Sequence, residues 1–224
     1  MTDENVQSTQ ISFSFRKLPD PEMQQRASDF YELMSRRRTV RDFAPEPIPE
    51  GVLELAIRTA GTAPSGANKQ PWHFCVVQDA EVRTKLRTAV EAEEKENYER
   101  RFSGEMKEDL ASLETNFSKP YLTNAPGLIV VFKENFRLKD GIRRKNYYVN
   151  ESVGIACGML IAALHNAGLM TVTHTPNPMK FLNDMLNRPA NETPVMVLPV
   201  GFPAATCTVP DIKRKGVQEI LSYI

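Results

Sequence analysis

Apolar residues recur along this chain at two spacings, and the switches between them mark its elements. Phe30, Leu33 and Met34 fall at helical spacing after Ser28, which predicts a helix there with the serine as N-cap. Residues 1 to about 26 are polar with little periodicity and are expected to form an arm, loose or wrapped on a neighbour. Pro45, Pro47 and Pro49 stop regular structure, and Glu50 to Ala60 then reads as a helix with Val52, Leu55, Ala56 and Thr59 on one face. His73 to Val77 and the β-branched run Leu128 to Phe132 read as strands. Between them, residues 80 to about 101 form a long, highly charged helix. Residues 102–120 are a polar, partly helical, mobile excursion with scattered Met106, Leu110, Leu113 and Phe117. A surface loop with Arg137, Lys139, Arg143, Arg144 and Lys145 is expected next. Tyr147 to Ala167 is the most regular helix, closed by Gly168. Its small residues Gly154, Ala156, Gly158, Ala162 and Ala163 suit close packing and a subunit contact. Leu169 to Thr173 reads as a third strand, Lys180 to Leu186 as a short helix and Val195 to Val200 as a fourth strand. The last 20 residues end in Ile220-Leu221, as tails that dock on another element or subunit often do. Strands mixed with longer helices, with no repeat or linker, indicate one α+β domain over residues 1–224.

Composition removes several classes of function. Lys plus Arg and Asp plus Glu are both 28 in 224 residues, so no net field draws the chain to nucleic acid or membrane. Cys75, Cys157 and Cys207 are odd in number and far apart, which fits reduced thiols. The start has no basic, then apolar, signal pattern, and the longest apolar run, Ser152 to Leu164, is too short to span a bilayer. A soluble, cytoplasmic protein is expected. His73, His165 and His174 do not pair at metal-ligand spacing, so no metal site is expected, and neither a G-x-G-x-x-G nor a G-x-S-x-G motif occurs. What remains is chemistry carried by a cofactor.

The candidate anchor for such a cofactor is Ser35-Arg36-Arg37-Arg38-Thr39-Val40-Arg41. It places four guanidinium groups within six residues where helix gives way to loop. Arg grips phosphate oxygens in a bidentate fork, and an anion would offset the mutual repulsion of such a cluster. Charge alone leaves a solvated basic loop equally open. Gly61 to Trp72 is a loop of small residues in which backbone amides can approach a ligand and Ser65 offers a hydroxyl. On the charged helix, Glu94 and Tyr98 stand four apart and share a face, although a solvated acidic face is the simpler reading.

Taken together, SRRRTVRDF, TAPSGANKQPWHF, the Gly- and Ala-rich helix and AGLMTVTHTP resemble the nitroreductase superfamily of FMN enzymes over about residues 28 to 218. EAEEKENYERR, Lys119, RPANETPVMVLPVGFP and TVPDIKRK further resemble its iodotyrosine deiodinase branch. The resemblance implies a central mixed sheet flanked by helices, in an intertwined homodimer with two FMN sites lined by both chains. It puts Arg37, Arg38, Thr39, Val40, Arg41 and Arg214 at the flavin, with Ser65 and Gly66 against its ring and ribityl chain. Ala67 falls where a backbone amide would meet the substrate phenol oxygen. Glu94, Tyr98 and Lys119 match a clamp for the ammonium and carboxylate of a halotyrosine, and residues 90–120 become a substrate lid. Thr173, His174 and Thr175 match the segment beside flavin N5, with the Thr175 hydroxyl as first choice for the contact and Thr173 as second. A hydroxyl there would favour one-electron over hydride transfer. Residues 203–224 become a C-terminal tail that contributes Arg214. The implied reaction is reductive dehalogenation of iodotyrosine to tyrosine and iodide, with electrons from an unidentified donor or reductase. Animal members carry an N-terminal membrane anchor not seen here, which suggests a microbial form. His174 stands where a small hydroxyl residue is usual, and its role is open, as is that of Arg36. Asn68 and Gln70 lean toward general nitroreductases. The alternatives are an NAD(P)H-dependent nitro- or quinone reductase, a flavin-fragmenting enzyme and, more remotely, a non-catalytic anion- or nucleic-acid-binding module. Only the deiodinase reading requires the Glu94, Tyr98 and Lys119 clamp.

Overall fold

Five consecutive side chains with no solvent exposure, Leu128 to Phe132, form the centre of the fold. A strand buried on both faces reads as a continuous apolar run, and this one divides its side chains between two cores. The computed structural model describes residues 10–224. They form two units, one ending at Arg36 and the other comprising Arg37–Ile224.

In the first unit, α1 runs Asp20–Ser35. It starts eight residues before the predicted N-cap, so Ser28 lies inside it. Pro19 is the extended residue before the helix, Pro21 fills the first turn where no amide partner is needed, and Asp20 and Glu22 face the positive end of the helix dipole. The predicted loose arm is therefore helical from residue 20. Residues 1–9 of that arm lie outside the described residues.

The second unit carries α2 (Val52–Ala60), β1 (Trp72–Val76), α3 (Ala80–Glu96), α4 (Gly104–Ser112), α5 (Tyr121–Asn124), β2 (Gly127–Glu134), β3 (Phe136–Lys139), β4 (Ile142–Lys145), α6 (Val149–Asn166), β5 (Met170–Thr171), α7 (Phe181–Met185), β6 (Glu192–Gly201) and α8 (Val217–Ile220). The main sheet has the order β1-β2-β6-β5 with antiparallel pairings, and a parallel bridge from Thr39 to Thr171 makes it mixed. On one face, Leu128, Val130 and Phe132 pack with Leu86 and Val90 of α3 and Leu122 of α5. On the other, Ile129 and Val131 pack with Ala56 and Ala60 of α2 and Leu160 and Leu164 of α6. Each large side chain so buried contributes about 1.5–3 kcal/mol.

Several local expectations change. The inner face of α2 holds Ala56 and Ala60, while Leu55 is 62% exposed and Thr59 is also outside. The third strand shortens to Met170–Thr171, after which only a bridge from His174 to Val197 continues the pairing. The basic loop is a hairpin of β3 and β4, turned by Asp140-Gly141, both with positive φ (53° and 73°). Asp-Gly is a strong two-residue hairpin signal. The mobile excursion contains α4, capped by Ser103, whose hydroxyl accepts from the Met106 amide at 3.1 Å. Gly168 ends α6 with φ of 82°, and the Gly168 and Leu169 amides close back on His165 and Leu164. Ile220 and Leu221 are exposed in this chain.

Candidate active site

Three of the arginines converge. Arg38 donates to the Pro210 carbonyl, and Arg214 donates to the Arg37 carbonyl at 2.6 Å, tying the tail to residues 37–38. Burial, then the charges of Arg214 and Arg38, push the Arg37 guanidinium below its usual pKa. Among the described residues, neither Arg37 nor Arg38 pairs with a carboxylate. Two adjacent guanidinium groups with no carboxylate partner fit a polyanion. Beside them a cavity of about 610 Å³ is lined by Thr39, Arg41, the end of α4 (Ser112) and tail residues including Pro210 and Ile212. This lies within the usual range of ligand sites. Val40 is buried, and its amide donates to the Thr171 carbonyl at 3.3 Å, which anchors the arginine loop to the sheet edge.

The α3 face that reads as solvated acid is instead a scaffold. Arg83 is buried and donates to the carbonyls of Leu122, Ala125 and Pro126, which caps α5. One turn on, Arg87 donates to Thr123 and to Glu91, and Glu91 accepts the Lys119 amide at 2.7 Å. One more turn brings Glu94 to Lys119, Oε2 to Nζ at 3.3 Å, with both side chains at most 8% exposed. Burial pushes the Lys119 ammonium down, with Glu94 opposing. The α3 helix then widens into a π-helical turn, Asn97–Arg101, of the kind that often marks functional sites. It carries Tyr98, whose ring lies 5.4 Å from the Lys119 ammonium and whose phenol bonds Thr115. Asn97 ties this turn to the Asn177 carbonyl at 2.9 Å, just past Thr175. Arg41 joins the same neighbourhood, since its charge lowers the pKa of Lys119 and His174.

Thr173 and Thr175 are exposed on one side of their segment and His174 is buried on the other, as the period of an extended chain requires. His174 has both backbone groups bonded to Val197, and its Nδ1 lies 3.3 Å from the Tyr121 hydroxyl. Its Nε2 is buried and has no partner among the described residues, which marks a place for a water or ligand polar group. Burial, then Lys119 and Arg41, push His174 from 6.5 down to about 3. Below pH 6.5 the unfolded chain binds a proton there that the folded chain refuses, so this residue lowers stability as pH falls from 6.5 toward 3. The expected loss between pH 6.5 and 5 is about 2 kcal/mol. Urea unfolding across that range should show it, and His174→Phe should flatten the slope; an unchanged slope would refute the assignment.

Ser65, Gly66 and Ala67 belong to a different loop, between α2 and β1. Among the described residues they make no hydrogen bond to the arginines or to the clamp. Their loop is held on the start of α6, where the Gly66 amide donates to Ser152 Oγ at 3.4 Å and Ser65 Oγ accepts the Gln70 amide at 2.8 Å. A Cβ on Gly66 would come within 2.8 Å of Tyr148 and 3.0 Å of the Tyr147 carbonyl. Ala67 and Asn68 are both left-handed, at φ of 49° and 51°. That costs about 1–2 kcal/mol for a residue such as alanine and tends to be retained at functional sites. Arg83, Glu91, Asn97 and Tyr121 support the site without any local sequence signal.

The profile of the Nitroreductase family matches residues 34–202, and the chain belongs to that family. It is 50% identical to the iodotyrosine deiodinase of Haliscomenobacter hydrossis over 212 residues, 94% of this chain and 96% of that protein. It is 47% identical to iodotyrosine deiodinase 1 of Homo sapiens over 222 residues, 98% of this chain and 76% of that protein. Among solved structures, oxidized iodotyrosine deiodinase bound to FMN and 3-iodo-L-tyrosine is similar, with a TM-score of 0.77 and 34% identity over 87% of this chain and 98% of that one. No helix among the described residues is long and apolar enough to cross a membrane.

Proposed function

We propose that the chain is an FMN-dependent oxidoreductase that reductively deiodinates iodotyrosine to tyrosine and iodide. The observation that carries this reading is the buried Glu94–Lys119 pair beside Tyr98. An amino-acid zwitterion matches that pair charge for charge: its ammonium takes Glu94, its carboxylate takes Lys119, and no charge is left buried alone. An uncharged nitroaromatic has no use for either group.

The residues present suit FMN. Arg37, Arg38 and Arg214 would hold the phosphate, with Thr39, Val40 and Arg41 beside them, and Ser65 and Gly66 would meet the ring and ribityl chain. When bound, FMN supplies the electrons. The Ala67 amide receives the substrate phenol oxygen, and Tyr98 walls the ring. The lid residues around Thr115 exclude water. The Thr175 hydroxyl, or failing it Thr173, would accept a hydrogen bond from the flavin, while His174 holds both in register from the buried side. The substrate ring gains a proton at the iodine-bearing carbon and two electrons, and loses iodide. Two chains complete the site. The open Gly154 and Gly158 positions of α6 and the exposed tail support this.

The test is a titration of the flavin-loaded protein with iodotyrosine, tyrosine and a nitrophenol, followed by flavin fluorescence. Iodotyrosine should bind far more tightly than the nitrophenol, and Thr175→Ala should shift turnover from deiodination toward nitro reduction. Equal, weak binding of all three ligands would reject the reading.

A further inference from the structure

The reaction proposed above consumes two electrons per turnover, and the β3–β4 hairpin has the features of the place where they arrive. Residues 136–145 hold five cations, Arg137, Lys139, Arg143, Arg144 and Lys145, against the single acid Asp140, in a chain whose total charge is zero. All five are exposed. Arg137 pairs with Glu134 at 2.6 Å, but among the described residues the other four pair with no carboxylate. Arg137 and Arg144 stand directly opposite each other across the ladder, an arrangement that destabilises a hairpin. Leu138 and Ile142 are exposed as well, at 68% and 55%, so burial does not explain why the hairpin persists. Its base is nevertheless fixed: Asn191 donates to the Phe136 carbonyl and Asn146 to the Glu134 carbonyl, both at 2.7 Å. A repulsive basic ribbon, held at its base and exposed in this chain, is suited to meeting an acidic surface.

Its position adds a second argument. Arg137 donates to the Gln70 carbonyl at 3.1 Å, so the hairpin grips the end of the loop that carries Ser65, Gly66 and Ala67. The strand leaving it runs into Tyr147 and Tyr148, which enclose Gly66. The ribbon thus rises directly from the loop assigned to the flavin ring.

We infer that the β3–β4 hairpin docks an acidic one-electron carrier protein, of the flavodoxin or ferredoxin class, that reduces the bound FMN. Two carrier molecules each give up one electron, the FMN gains two electrons and two protons from solvent, and the carriers leave oxidised. This rests on the functional reading above, but the two fail separately. The FMN-loaded protein is mixed anaerobically with reduced flavodoxin, and flavin bleaching is followed by stopped flow at low and high salt. The triple variant Lys139→Glu, Arg144→Glu, Lys145→Glu should slow reduction at least about tenfold at low salt, and added salt should slow the wild type by a comparable factor. Reduction by dithionite, and iodotyrosine turnover driven by dithionite, should not change, which also shows that the variant is folded. Equal flavodoxin rates in the two proteins would overturn the inference. So would reduction by NADPH that outruns flavodoxin and ignores the substitutions. Wild-type protein that dithionite reduces but that leaves iodotyrosine intact would instead reject the substrate reading, with the flavodoxin rates still reporting on the hairpin.

Discussion

Glu94→Gln and Lys119→Ala are each expected to lower kcat/KM for iodotyrosine by about 100-fold or more, since truncating one partner of a buried charge pair costs roughly 2–5 kcal/mol at an interface. The reason lies in the ligand-free pairing. Each group neutralises the other at 3.3 Å in a site nearly closed to water. A zwitterionic ligand therefore exchanges one set of ionic partners for another rather than uncovering bare charges. With Glu94 made neutral, the substrate ammonium enters without a counter-ion. With Lys119 removed, the carboxylate does. The same geometry predicts a stability effect that binding data alone would not reveal. Lys119→Ala strands a buried carboxylate and should destabilise the free protein by about 3–5 kcal/mol, whereas Glu94→Gln with Lys119→Met removes both charges and should recover most of that loss. Urea unfolding of the single and double variants, beside fluorescence titration with iodotyrosine, separates the two roles. A double variant that regains stability but not binding is the expected result; one that still binds iodotyrosine tightly would remove the clamp from the mechanism.

What could be read from the amino acids follows how local each signal is. The α6 helix is legible because its apolar period and the Gly168 cap lie within one stretch, and β2 because burial on both faces needs a continuous apolar run. The start of α1 is not legible because residues 20–27 are polar with little periodicity and the helix buries no side chain, so only proline in the first helical turn signals it. The β3–β4 hairpin was hidden by its charge, since cations on both faces erase the alternation and only Asp140-Gly141 signals the turn. At the site, Glu94 and Tyr98 share a face by helical spacing, but the burial of that face depends on Leu122, Ala125 and Pro126 returning to Arg83 from some forty residues away. His174 sits between two exposed threonines, and only the sheet shows that it points inward to Tyr121.

The arginine cluster leads to a second large effect, one that is expected only when the cofactor is present. Without an anion, Arg37, Arg38 and Arg214 repel one another, and Arg37 is held below its usual pKa by burial and by those two charges. Replacing Arg214 with glutamine removes one source of that repulsion but also the bond to the Arg37 carbonyl, so the stability of the flavin-free protein should change by no more than about 1 kcal/mol. With FMN bound the balance changes. Each charge-assisted hydrogen bond to a phosphate is worth about 1.5–3 kcal/mol, so Arg214→Gln should weaken FMN binding roughly 10- to 150-fold. Lysine should not restore it, because a point charge cannot reproduce both the fork on a phosphate and the 2.6 Å bond to the Arg37 carbonyl that holds the tail in place. Thermal melts of the flavin-free and flavin-loaded forms, with FMN affinity from fluorescence quenching, give the two effects independently. A variant that melts lower without flavin but retains FMN as tightly as the wild type would show that Arg214 fastens the tail and has no part in holding the phosphate.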